Sequence, residues 1–201
     1  GNVISANDGS GLVIDGSSSE NRIQGNLIGT DVTGTRALGN AEEGIDINGG
    51  GGNVIGGLIN GAGNVISGNG AQGVELFTSF VAATVVQGNF IGTDRAGLLA
   101  LGNAGSGVQL DSSRHRVEGN VIAFNRVAGV WVTSGVGSTV TANSIHSNTN
   151  LGIDLGNFGS QANDPGDLDG GANGQQNYPM LNEALSTASS TVVAGTLNSV
   201  A

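Results

Sequence analysis

One four-residue phrase, repeated six times, constrains this chain more than any other feature. It reads Gly, apolar, any residue, apolar: Gly11-Leu12-Val13-Ile14, Gly44-Ile45-Asp46-Ile47, Gly73-Val74-Glu75-Leu76, Gly107-Val108-Gln109-Leu110, Gly129-Val130-Trp131-Val132 and Gly152-Ile153-Asp154-Leu155. Apolar residues two apart put their side chains on one face of a strand, because successive strand residues point to opposite sides. A short strand that returns once per circuit of the chain is the mark of a solenoid.

Two further strand phrases lie between the copies. One is x-[IV]-x-[GA], as in Arg22-Ile23-Gln24-Gly25 and Arg116-Val117-Glu118-Gly119. The other opens with Asn, as in Asn26-Leu27-Ile28 and Asn120-Val121-Ile122. Three strands per circuit is the layout of a parallel β-helix. The expected fold is therefore all-β, a single-stranded parallel β-helix with three strands per coil and about six coils. The right-handed crossover rule for parallel strands sets its hand.

Coil length varies because two circuits carry a matching insert. It runs from Ile28-Gly29-Thr30-Asp31 to Ala37-Leu38-Gly39-Asn40, and again from Ile91-Gly92-Thr93-Asp94 to Ala100-Leu101-Gly102-Asn103. Stacking the coils lines up two asparagine columns. The first holds Asn2, Asn26, Asn64, Asn89, Asn120 and Asn143, and the second Asn7, Asn69, Asn125 and Asn148. Asn tolerates a left-handed corner and its amide can bond the Asn one coil away, so both columns read as structural ladders. The β-helix is expected over residues 1–157. Residues 158–201 read as a loop and capping segment, with Tyr178, Met180 and Leu181 folding back over the last coil. A final strand at Thr191 to Leu197 could open a following domain.

Composition narrows the partners. Sixteen acidic residues face six arginines with no lysine, a net charge of -10. That balance disfavours nucleic acid and anionic membranes. No apolar run reaches the roughly 18–20 residues of a membrane span, so no membrane insertion is expected. Without cysteine there is no disulfide framework and no thiolate metal site.

These motifs resemble bacterial secreted or cell-surface proteins with right-handed parallel β-helix repeats, in the pectate-lyase-like superfamily. The likeness rests on Gly-Asn-x-Ile, Gly-[VI]-x-[IL], the Ile-Gly-Thr-Asp…Leu-Gly-Asn insert and the passage from Asn163-Asp164-Pro165-Gly166-Asp167 to Gln176-Asn177-Tyr178-Pro179. It implies an extracellular or cell-surface location, and it places the Gly strands in the sheet that forms the substrate cleft of the enzymes. No catalytic motif of the lyases or polygalacturonases has a match in this chain.

The free position of the Gly strand faces outward, giving the stack Val13, Asp46, Glu75, Gln109, Trp131 and Asp154. Asp46 and Glu75, one coil apart, are the candidate catalytic pair, since neighbouring carboxylates raise each other's proton affinity. Gln109, Trp131 and Asp154, with Arg36 and Arg95 from the inserts, are the candidate binding face. The ordinary alternative is a hydrated acidic surface, with the arginines paired to Asp31, Asp94 or Glu42. Asp164, Asp167 and Asp169 form a candidate Ca²⁺ loop, although it lacks the closing Glu of an EF-hand. No cofactor is required.

Two functions remain at this stage. One is a non-catalytic structural or adhesive segment of a larger extracellular protein, with self-association possible through uncapped coil ends. The other is a β-helix that binds or cleaves a polysaccharide or cell-surface glycan on its Gly-strand face.

Overall fold

A computed structural model describes residues 1–77 and 82–199. The chain winds through three parallel sheets of six, six and five strands. The Gly strands form one sheet, from Leu12–Gly16 through Ile45–Gly49, Val74–Leu76, Val108–Leu110 and Val130–Val132 to Ile153–Leu155. The Asn strands form the second six-stranded sheet, from Val3–Ile4 to Ser144–His146, and the x-[IV]-x strands form the five-stranded one. Every pair within these sheets is parallel and in register, so each coil repeats the side-chain directions of the one before.

That register builds the core. Ile28, Ile66, Ile91 and Ile122 stack on one another, as do Ile47, Leu76, Leu110 and Val132, all without solvent exposure. Burying each such side chain contributes roughly 1.5–3 kcal/mol. Of the residues expected inside, Ile4 and Ile145 are half-buried and Ile153 is 45% exposed. Their side chains point inward, but they sit on the first and last strands of their sheets, where no further coil covers them.

The glycine that opens each phrase but the last is required by close approach. A Cβ on Gly107 would lie 2.5 Å from Ile122 Cγ2 and 2.7 Å from the Gly129 carbonyl oxygen of the next coil. No side chain fits there without parting the coils.

Both asparagine ladders are present. In the first, the Oδ1 of each Asn accepts the backbone N–H and the side-chain amide of the Asn one coil before it. Asn26 thus gives 2.9 and 3.0 Å bonds to Asn64, and Asn64 gives 3.0 and 2.9 Å bonds to Asn89. The second ladder is longer than expected, running Asn7, Asn40, Asn69, Asn103, Asn125, Asn148. Asn40 and Asn103 close the two inserts, which are small hairpins bridged at Thr30 and Ala37 and at Thr93 and Ala100. Each insert therefore leaves the helix and returns it to the same rung.

A third corner column opens on Asn but does not keep it. Asn21 bonds Asn53, the Thr84 N–H donates to His115 Nδ1, the His115 N–H donates to Ser138 Oγ, and the Ser138 N–H donates to Asn173 Oδ1. Asn173 belongs to a single 3₁₀ turn, Ala172–Gln175, and its own N–H reaches the Gly135 carbonyl at 2.7 Å. Beside it Ala172 is buried and joins the aliphatic core. The turn is the cap. Tyr178, Met180 and Leu181, expected to plug the coil, are 47%, 52% and 70% exposed. Met180 and Leu181 instead begin a two-stranded antiparallel hairpin, Met180–Ser186 with Thr191–Thr196, whose residues are all exposed.

Candidate functional site

The Gly-strand sheet places Val13, Asp46, Glu75, Gln109, Trp131 and Asp154 side by side on its outer surface, one per coil, about 4.8 Å apart. Two residues further along the strands runs a second outward row that includes Asn48, Asp111 and Thr133, with the exposed Phe77 at the end of its strand. Sequence reasoning stopped at the first row and so missed Asp111. It lies diagonal to Glu75, and only the coil register brings the two together.

Polar contacts tie the rows. The Gln109 amide donates to Glu75 Oε1 and to Asp111 Oδ2, each at 2.9 Å. Thr133 Oγ1 donates to Asp111 Oδ1, and the Asn48 amide donates to Asp46. Burial, then the charge and hydrogen bond of Asp111, then the charges of Glu43 and Asp46, push the Glu75 carboxyl up to about 7. Burial also raises Asp46, against the hydrogen bond from Asn48 that favours its charged form. Near neutral pH this face therefore holds one carboxylic acid retaining much of its proton beside carboxylates, a division of roles that acid–base chemistry uses. The partner that most perturbs Glu75 is Asp111 rather than Asp46.

The other residues expected on this face are placed differently. Trp131 is half-buried; its Nε1 donates to the Gly156 carbonyl at 3.0 Å and its ring packs T-shaped with that of Phe158, the ring centroids 4.9 Å apart. Asp154 faces outward by register but is only 1% exposed, because the chain after the last coil folds over it and Gly159 N–H bonds its Oδ2. Arg36 and Arg95 are exposed on the inserts, and among the described residues the one salt bridge joins Arg116 to Glu118, so the expected pairings are not made. Asp31 and Asp94 instead accept backbone N–H groups of their own insert turns.

His115 and Ser112 lie 2.7 Å apart but do not make a nucleophile and base. His115 Nδ1 accepts the Thr84 N–H, so the proton of the neutral ring sits on Nε2 and points at the hydroxyl. A ring that donates to Ser112 cannot take its proton. Burial holds this histidine neutral by lowering its pKa to about 4.

At the C-terminal end Asp164, Asp167 and Asp169 offer ligand atoms that all lie within 4.8 Å of one another. The structure brings this sequence-predicted trio together.

Residues 100–163 match the family model described as a right-handed beta helix region. The chain folds as a right-handed parallel β-helix. The match spans the coils from the second insert to the cap loop, and so includes Gln109, Asp111, Trp131 and Asp154 of the face. Neither a curated protein nor a solved structure matches the chain.

Proposed function

We propose that this β-helix is a non-catalytic structural and adhesive segment of a larger extracellular or cell-surface protein. One observation carries the reading: both asparagine ladders run through all six coils without a break. Even the inserts return an Asn to the rung. Sites of chemistry are where local rules are expected to fail, and these two ladders do not yield at any coil. Such a stack is a rigid rod that presents one flat, acidic face.

A second reading is favoured by the Glu75–Asp111 pair: recognition or cleavage of a polysaccharide along the Gly-strand face, with Phe77 as an exposed aromatic beside it. A glycan array and a reducing-sugar screen on the purified chain decide between the two. The structural reading expects no sugar release. Release that disappears in Glu75→Gln would overturn it, and array binding lost in Phe77→Ala would put glycan recognition on this face.

A further inference from the structure

The loop after the last coil carries three carboxylates and no neutralising group. No Arg, Lys or His follows His146 in the sequence. Yet the ligand atoms of Asp164, Asp167 and Asp169 converge to within 4.8 Å. Two carboxylate oxygens there, Asp164 Oδ1 and Asp169 Oδ1, are shut away from solvent and have no hydrogen-bond partner. Burying a charged oxygen unpaired is among the most expensive arrangements a fold can hold. Mutual repulsion opposes this convergence, and a positive charge between the three would stabilise it.

We propose that Asp164, Asp167 and Asp169 form a calcium site that locks the cap onto the last coil. An ion about 2.4 Å from each ligand needs oxygens no more than about 4.8 Å apart, and the ligand atoms of the three carboxylates all lie within 4.8 Å of one another. Hard oxygen donors suit Ca²⁺, whose remaining positions water can fill. Mg²⁺ needs shorter bonds and stricter octahedral geometry.

The cluster is wired to the cap. Asp164 N–H donates to Asn177 Oδ1 at 3.0 Å, the Asn177 amide returns a 2.8 Å bond to the Asp164 carbonyl, and Asn177 N–H donates to Asp167 Oδ1 at 2.9 Å. Between these anchors lies Ala172–Gln175, whose Asn173 holds Ser138 and Gly135 of the last complete corner. Fixing the loop at both ends of that turn fixes the turn. An ion bound there would stabilise the end of the solenoid, where fraying begins.

The test uses the full chain, treated with chelator and titrated with CaCl₂ by calorimetry, with thermal melts alongside. One ion should bind per chain, and the melting temperature should climb with Ca²⁺ by mass action. Asp169 makes no hydrogen bond among the described residues, so Asp169→Asn removes a ligand without removing a contact of the fold. It should weaken binding at least about tenfold. Without Ca²⁺ it should melt no lower than the wild type, since it relieves repulsion; a carboxylate with a merely structural role would lower that melt. The proposal is overturned by absence of heat and of any melting shift at millimolar Ca²⁺, or by an Asp169→Asn titration equal to the wild type's. Equal affinity for Mg²⁺ would overturn the assignment to calcium.

Discussion

Replacing Asn64 with Ala tests what the ladders contribute, because the consequences can be counted bond by bond. Asn64 is fully buried at the centre of the first ladder. Its Oδ1 is the acceptor for both the backbone N–H and the side-chain amide of Asn26, and its own amide donates to the Ile23 carbonyl at 2.8 Å. Removing it leaves both Asn26 donors without partners and takes one donor from the Ile23 carbonyl. Asn89 Oδ1 loses one donor and keeps the backbone N–H of residue 64. Each buried group left unpaired costs about 1–3 kcal/mol. One water entering the vacated space would recover part of that, so the expected loss is about 3 kcal/mol.

Asn2→Ala is the matched control. It removes the same residue type from the same ladder at an exposed end, where Asn26 Oδ1 keeps the backbone N–H of residue 2. Its effect should stay within about 0.5 kcal/mol. Urea unfolding followed by two optical probes gives both values, provided the transitions coincide and share one m-value. Hydrogen exchange adds a local readout, since the Asn26 amide should lose protection in Asn64→Ala. Equal shifts for the two variants, or a loss below about 1 kcal/mol at Asn64, would refute the view that the ladder carries the coil's unpaired backbone groups.

Two pH effects of opposite sign follow from the shifted groups. Glu75 titrates near 7 in the fold against an ordinary 4.5, so its contribution is present below pH 4.5 and lost as pH rises towards 7. Glu75→Gln should therefore gain on the wild type across that window, by less than about 3 kcal/mol because the carboxyl is partly hydrated; a constant difference in urea midpoint from pH 4.5 to 8 would contradict this. His115 is buried neutral with a pKa near 4 against 6.5, so the unfolded chain takes up its proton first and the fold loses stability as pH falls from 6.5 to 4, by roughly 3 kcal/mol. His115→Asn, which keeps an acceptor for Thr84, should resist acid better than the wild type below pH 6.5, and a parallel acid-unfolding curve would show that His115 does not govern that limb.

The interior of this protein was legible in its sequence because a parallel stack makes every coil pose the same question at the same place. Val74 and Val108 are buried for the reason that buries Val130, so six copies of one phrase expose the rule. The outer face lacks that redundancy. Asp111 meets Glu75 through a diagonal that depends on register and side-chain direction together, and no repeated letter marks it. The third corner was hidden for another reason: a backbone group asks only for a donor or acceptor in the right place. His115, Ser138 and Asn173 answer that demand with different atoms, where the other two corners answer it with Asn each time.

The cap is hidden in the sequence for the same physical reason. Apolar Tyr178, Met180 and Leu181 looked suited to close an open apolar end. What the last coil leaves unmet, however, includes polar backbone groups as well as apolar surface. Ala172 covers the end of the aliphatic core, and Asn173 supplies the amide that the third corner would otherwise receive from another coil. A residue that completes a column can be recognised only after the column is known, and this column abandons Asn between Asn53 and Asn173. The solenoid is closed by a side chain that imitates the missing coil at one corner. The tyrosine, methionine and leucine that follow remain at the surface, and Ile153 of the last coil stays 45% exposed, because the cap completes a polar corner and only part of the apolar end.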